Sequence, residues 1–342
     1  MSRIIHRSRL LYLVSQPRGF STSCRQLAQK TAKTTPKPDA TAPKPEIKAT
    51  DAAPLIPGLP TTNQPDDSQF ADVPKGHGKL VKNFTPKPLS RPIGLPYPPE
   101  PGQNTGLDLR TLSQRRDDFV NYDKVLERRK YLVNKISRPY FRDWVNLQFH
   151  EGKTFLAPPR IFKGDLSLFF PNLYGQTASK KDREPRDTTP LLQGRVSVVS
   201  VFSTIWAENQ CKTYVSKEHA PETARLIAES GGRAQHVQIN IEQDALKAWI
   251  VKLSMGRIRR DLGAEENHER YFVVRKGLSD EIKENIGAMN SKVGYTYLID
   301  SDCRIRWAAS GYSEDHEREG LFKGLQRLLL ALPDAESGKS PI

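Results

Sequence analysis

Cysteine is scarce in this chain: Cys24, Cys211 and Cys303 are all that 342 residues hold. No two are close in sequence, and no CxxC or Cys/His cluster occurs. That excludes a disulfide scaffold and a zinc site of the usual ligand spacing. Long apolar runs are also missing, since nothing approaches the roughly 18 consecutive apolar residues that a bilayer-spanning helix needs. The seven histidines are scattered. Neither GxGxxG nor GxxxxGK[ST] appears, so no dinucleotide or nucleotide loop is indicated and no cofactor is implied. Acidic pairs such as Asp117-Asp118 and Glu265-Glu266 sit among other charges and read as solvated surface.

Acidic residues are absent from the start of the chain, where the first is Asp39. Before it come Arg3, Arg7, Arg9, Arg18 and Arg25, interleaved with serines and with apolar Ile4, Ile5, Leu10, Leu11, Leu13 and Val14. A basic, serine-rich, acid-free amphipathic segment has the makeup of a mitochondrial transit peptide. A positive helix is drawn across a membrane whose far side is negative. Arg18-Gly19-Phe20-Ser21 resembles a matrix processing site, so residues 1–20 are expected to be removed by cleavage after Phe20.

Proline, by contrast, is plentiful. Of 26 prolines, 16 fall within residues 31–101. Such a stretch buries too little apolar surface to offset its ordering entropy. Residues 21–105 are therefore expected to be a disordered linker. The net charge of +14 is uneven as well. Residues 1–150 carry 25 Lys and Arg against 13 Asp and Glu, whereas residues 151–342 carry 28 against 26. A nearly neutral body lacks the clustered basic surface that grips phosphates, so nucleic acid is not an expected partner. The basic N-terminal half still leaves a ribosome- or RNA-associated role as one alternative.

Residues 106–150 read as a basic helical segment. Phe119, Tyr122, Leu126, Val133 and Ile136 recur at three- and four-residue steps, a helical period. Arg115, Arg116, Arg128 and Lys130 lie on its polar side. Two readings stay open: a helix docked on its own domain, or a basic face lying against anionic lipid or an acidic partner segment.

Residues 151–335 are expected to form the folded domain, with a short tail over 336–342. Val196–Phe202 is a continuous β-branched run, as a strand buried on both faces should be. Residues 217–230 read as a helix ended by Gly231-Gly232, 237–241 as a strand, and 243–255 as a helix closing at Gly256. Tyr271–Val274 reads as a short strand and 279–287 as a short helix capped by Ser279. Residues 295–300 and 304–309 flank a hairpin turn, and 314–332 form a closing amphipathic helix. That order is the order of an α/β thioredoxin-like sandwich, peroxiredoxin-like in its opening strand.

The chemistry of such a fold is missing. A reductase's paired cysteines would land near Trp206 and Asn209, and neither is Cys. Disulfide exchange needs an attacking and a resolving thiol. Cys211 falls within a residue of a peroxidatic position, which makes a one-cysteine thiol peroxidase the enzymatic alternative. Glu208 nearby would disfavour the thiolate.

Several segments, in order, resemble the mitochondrial ATP synthase assembly-factor family whose members help build the Fo sector. They are Arg91-Pro92-Ile93-Gly94-Leu95, Leu126-Glu127-Arg128-Arg129-Lys130, Tyr140-Phe141-Arg142-Asp143, Ala157-Pro158-Pro159-Arg160, Phe169-Phe170-Pro171-Asn172-Leu173-Tyr174-Gly175, and Arg304-Ile305-Arg306-Trp307. The resemblance implies a non-enzymatic chaperone at the matrix face of the inner membrane. It would bind newly made subunit a (subunit 6) and help it join the c ring. Phe169, Phe170, Leu173, Tyr174, Arg306 and Trp307 are the expected contact surface.

Overall fold

The computed structural model describes residues 69–76, 81–108, 110–136, 139 and 141–332. The expected transit peptide, residues 21–68 of the expected linker, Tyr140 and the expected tail lie outside them.

The fold is organised around strand β3 (Val196–Phe202), in which every residue is buried. Its run of valines suits a strand covered on both faces. The preceding elements are helices α1 (Leu112–Val120), α2 (Tyr122–Ile136) and α3 (Arg142–Val145), strands β1 (Tyr174–Thr177) and β2 (Arg186–Asp187), and helix α4 (Thr189–Leu192). After β3 come α5 (Ile205–Val215), α6 (Pro221–Glu229), β4 (Ala234–Ile241), α7 (Ala245–Leu262), α8 (Glu265–Glu269), β5 (Tyr271–Val274), α9 (Asp280–Asn285), β6 (Tyr295–Ile299), β7 (Ile305–Ser310) and α10 (Asp315–Ala331).

Among the described residues, seven strands form one sheet in the order β2-β1-β5-β4-β3-β6-β7. β4 runs parallel to β3, with Val196 opposite Ala234 and Phe202 opposite Asn240. β6 is antiparallel to β3, and β7 antiparallel to β6. A parallel strand–helix–strand unit, followed by an antiparallel hairpin and a helix, in the order β4-β3-β6-β7, is a thioredoxin-like core. β5, β1 and β2 extend the sheet beyond β4.

Strand alternation divides the core into two layers. Val196 and Val198 face α10 residues Leu321, Leu325 and Leu328 together with Trp307. Phe202 joins Ala207 and Cys211 of α5, Met255 of α7 and Tyr271 in a neighbouring cluster. Val199 and Val201 point the other way, towards Phe155, Phe170, Ile286 and Tyr297.

That second layer is closed by a segment expected to be linker. Phe70, Val73, Leu89, Ile93 and Leu95 are buried core residues. Leu89 N donates to Leu156 O at 3.1 Å, and Leu156 N to Lys87 O at 3.0 Å. Leu95 and Phe169 exchange two backbone bonds of 2.8 Å. Gly94 sits at φ 135°, and a Cβ there would lie 2.7 Å from Phe169 O, so only glycine lets the chain pass this close. The prolines explain the departure from expectation. Residues before proline are held extended, and an extended chain docks on a sheet's cover as readily as it hangs free once apolar side chains fall between the prolines.

Four smaller departures have local causes. The helix expected over 112–136 breaks at Asn121, whose extended backbone ends α1 and whose side chain accepts from Asp123 N. The helix expected from 217 starts at Pro221, which lacks the N–H that a first-turn position leaves unused. Gly256 does not stop α7, which runs on to Leu262 and ends at Gly263, φ 72°. Residues 203–211, expected as the turn after the first core strand, are helical from Ile205 onward, in an α5 that Thr204 caps by accepting from Ala207 N at 3.1 Å.

Candidate functional site

The turn after β3 is where a thioredoxin-like enzyme keeps its chemistry, and here it presents side chains of another kind. Ser203 donates to the Ser291 carbonyl. Ile205 is 78% exposed, and Trp206 stacks edge-on against Tyr312 with ring centroids 5.4 Å apart. Behind the turn, the ends of β3 and β4 and the loop after α9 enclose a cavity of about 270 Å³. Phe202, Ser203, Glu242, Lys247, Lys292 and Tyr295 are among its lining residues. Burial pushes the Glu242 carboxyl up. Burial, followed by the neighbouring Lys247 charge, pushes the Lys292 ammonium down. A larger cleft of about 450 Å³ lies at the other ends of the same strands, lined by Arg195, Glu266, Glu269 and Arg270.

Cys211 is not in this turn. It lies two turns into α5, 3% exposed, with its Sγ 3.8 Å from Val201 O and 3.6 Å from Tyr295 O. Burial pushes its thiol up to about 12, the Glu208 carboxylate adding to the effect and the Thr296 and Ser200 hydroxyls opposing it. The thiolate is the nucleophile in peroxide reduction, and this sulfur is held protonated in the core. Cys303, in the β6–β7 turn, is buried as well, and its thiol is also pushed up to about 12 by burial and then by Asp300 and Asp302.

The aromatic segment and the hairpin do not form the expected contact surface. Phe170, Leu173 and Trp307 are fully buried. Phe170 packs on Tyr297 at 5.6 Å, and Trp307 Nε1 donates to Pro158 O at 3.0 Å. Phe169 is half-buried beneath the Arg304 guanidinium, 4.7 Å above its ring, and its backbone bridges Leu95 to Arg304. Tyr174 is half-buried in β1, paired with Asp187. Arg306 donates to Phe162 O at 2.9 Å and to Asp300 Oδ2 at 3.0 Å. Among them, Phe169 joins the strap formed by residues 69–76 and 81–105 to the sheet, through Leu95 on one side and Arg304 on the other. Nothing in their spacing distinguished a core aromatic from an exposed one.

Asn172, in the same segment, is fully buried and saturated. Its Nδ2 donates to Gln103 O at 2.8 Å and to Asp187 Oδ1 at 2.7 Å, while its Oδ1 accepts from Thr189 N and Oγ1. A second polar centre escaped sequence reading altogether. Glu317, buried in α10, accepts from Lys153 Nζ at 2.7 Å, Tyr214 OH at 2.9 Å, Ala157 N at 2.9 Å and Glu314 N at 3.1 Å. The only trace in the sequence was the Glu-x-x-Glu opening of α10.

The four residues of the expected basic face lie on α1 and α2. Arg116, Arg128 and Lys130 are exposed, and Arg115 pairs with Asp108 at 3.3 Å while remaining exposed. α1 buries none of its residues, and Phe119, Val120, Tyr122 and Val133 are exposed with it. Among the described residues, no helix is long and apolar enough to cross a membrane, and no group of three His, Cys, Asp or Glu could hold a metal ion.

The family model described as ATP10 protein matches residues 77–328, which takes in most of the strap, the aromatic segment, the whole sheet and most of α10. The chain belongs to the ATP10 family. It is similar to the mitochondrial ATPase complex subunit ATP10 of Eremothecium gossypii, with 30% identity over 243 residues covering 70% of this chain and 85% of that one. Against the Saccharomyces cerevisiae protein of the same name, identity is 27% over 257 residues, covering 72% and 88%. Solved structures with some likeness include a secreted thiol-disulfide isomerase from Corynebacterium glutamicum, 13% identical, TM-score 0.33, covering 53% of this chain and 98% of that one. Another is a DsbF homologue from Corynebacterium diphtheriae, 12% identical, TM-score 0.33, covering 49% and 91%.

Proposed function

We propose that this ATP10-family protein is a mitochondrial assembly factor for the Fo sector of ATP synthase. It holds newly made subunit a (subunit 6) at the matrix face of the inner membrane and helps it join the c ring. Family membership carries the reading, because the relatives are named mitochondrial ATPase complex subunits. The residues support it. The turn after β3 has no attacking and resolving thiols, and Cys211 is sealed in the core, so the reading is of a binding protein rather than an enzyme. Ile205, Trp206 and the cavity behind them offer an apolar contact where the redox centre would be, and they replace the aromatic segment as the candidate seat for the partner. The exposed basic and apolar residues of α1 and α2 suit an anionic membrane surface. The acid-free basic N-terminus supports import into the matrix.

The test is crosslinking in intact mitochondria from a photoreactive residue at position 205, with mitochondrial translation products labelled. The expected product contains newly made subunit a. No such product, together with normal oligomycin-sensitive ATPase activity in cells lacking the gene, overturns the reading. Peroxide consumption by the pure protein, lost on Cys211→Ser, would replace it with the peroxidase.

A further inference from the structure

Helix α7 is apolar on two opposite sides. One side is anchored: Ala248 and Met255 are buried, and Val251, Ile258 and Leu262 pack against the cluster under β5. The other side carries Leu246, Trp249, Ile250 and Leu253, which are 66%, 58%, 50% and 65% exposed. Their spacing of three, one and three places them on a single stripe about 10 Å long at 1.5 Å per residue. An amphipathic helix of a globular domain ordinarily turns a polar face to solvent, and this one turns an apolar stripe outward instead. Because the inner side is held by the sheet, the outer stripe cannot turn inward.

The rim of the stripe decides what covers it. α7 holds Lys247, Lys252, Arg257, Arg259 and Arg260 against the single acid Asp261. Lys247 and Lys252 are exposed on either flank, and Arg257 and Arg260 are exposed beyond its C-terminal end. A tryptophan and aliphatics bordered by cations are what an interfacial helix presents to a bilayer, the ring at headgroup level and the cations among anionic phosphates.

We propose that the outer face of α7 docks on an anionic phospholipid surface. The inference rests on the peripheral membrane placement proposed above, and it adds the outer face of α7 to the α1 and α2 residues as a contact surface. The docked stripe lies in the headgroup–acyl boundary without crossing the membrane, consistent with its length. The neighbouring lysines supply attraction to anionic headgroups that weakens with salt.

Flotation of the full chain with vesicles tests this, using phosphatidylcholine alone and phosphatidylcholine with about one-fifth cardiolipin. The expected result is binding to the cardiolipin vesicles that weakens with salt and falls at least about tenfold in Trp249→Glu/Leu253→Glu, whose solution fold is unchanged because both side chains are exposed. Lys247→Gln/Lys252→Gln should lose the cardiolipin preference and keep any weak binding to neutral vesicles. Wild-type binding retained in Trp249→Glu/Leu253→Glu overturns the proposal. So does a failure of the wild type to bind, or a dimer in sedimentation that the same variant abolishes, which would make a second copy the occupant. Crosslinking to subunit a serves as the separate control. If it persists while vesicle binding is absent, the docking face is wrong and the assembly reading stands.

Discussion

At the scale of single residues, the most consequential group is a carboxylate that sequence reading passed over. Glu317 collects four donors in the core, and Lys153, itself buried, depends on it for charge compensation. Breaking one partner of a buried ion pair leaves the other uncompensated, which costs about 3 kcal/mol or more. Glu317→Gln should therefore lower the urea midpoint by an amount equivalent to about 3 kcal/mol, partly offset by Glu314, which lies 3.0 Å from the same ammonium. An unchanged midpoint would mean that water reaches Lys153. His236 gives a pH signature. Burial, and then the Arg270 charge, hold its imidazole down at about 4 against an ordinary 6.5, with Ser200 Oγ 2.9 Å from Nε2. Below pH 6.5 the unfolded chain takes up a proton here that the folded chain refuses until about pH 4. Stability is thus complete above 6.5 and drains away as pH falls towards 4, by about 2 kcal/mol once partial exposure of the ring is discounted. In His236→Gln the loss of stability between about pH 7 and about pH 4.5 should shrink by that amount. Equal losses in the two proteins would place the titration elsewhere.

At the scale of elements, what could be read in advance were the pieces whose local pattern equals their environment. β3 is buried on both faces and reads as a valine run; β5, the β6–β7 hairpin and α10 also fall where alternation and turn residues put them. β1 and β2 were not legible, because four- and two-residue strands carry too little pattern to stand out from a loop. The site was legible only as an absence. The missing thiols could be counted, but which aromatics stay outside depends on long-range packing: Trp307 disappears under α10, whereas Trp206 and Trp249 do not. The junction of α5 with β6 shows how tightly the corner after β3 is packed. A Cβ on Gly294 would stand 2.3 Å from Ala207 O and 2.7 Å from Cys211 Sγ. The first is a helix backbone atom with nowhere to go. Gly294→Ala should cost about 2 kcal/mol or more by forcing α5 off the sheet. Cys211→Ala in the same background should recover only the part due to sulfur. A neutral Gly294→Ala would show that α5 is free to slide.

At the scale of the whole molecule, composition misled about where the domain begins, and the reason is physical. Proline content reports how extended a chain is, not whether it is docked. From residue 69 to 105 the chain alternates prolines with Phe70, Val73, Leu89, Ile93 and Leu95, all of them buried and all but Leu95 within the core layer over Val199 and Val201. Each buried side chain of this size contributes about 1.5–3 kcal/mol. Five together approach about 10 kcal/mol, comparable to the net stability of an ordinary domain at about 5–15 kcal/mol. The strap also satisfies backbone groups on both sides: Gly94 N donates to Asn285 O at 2.9 Å, and Asn172 takes Gln103 O as an acceptor. Its removal would leave Phe155, Leu173 and Ile286 facing water, with unpaired polar groups beside them. A chain starting at residue 106, the boundary that composition indicates, is therefore expected to lack a cooperative urea transition and to be digested rapidly by protease, while the full chain shows both cooperativity and protection. Ile93→Ala in the full chain should fall between them, losing about 2–4 kcal/mol. If the shortened chain instead unfolds at the full chain's midpoint, the strap is a passenger and the second core layer closes without it.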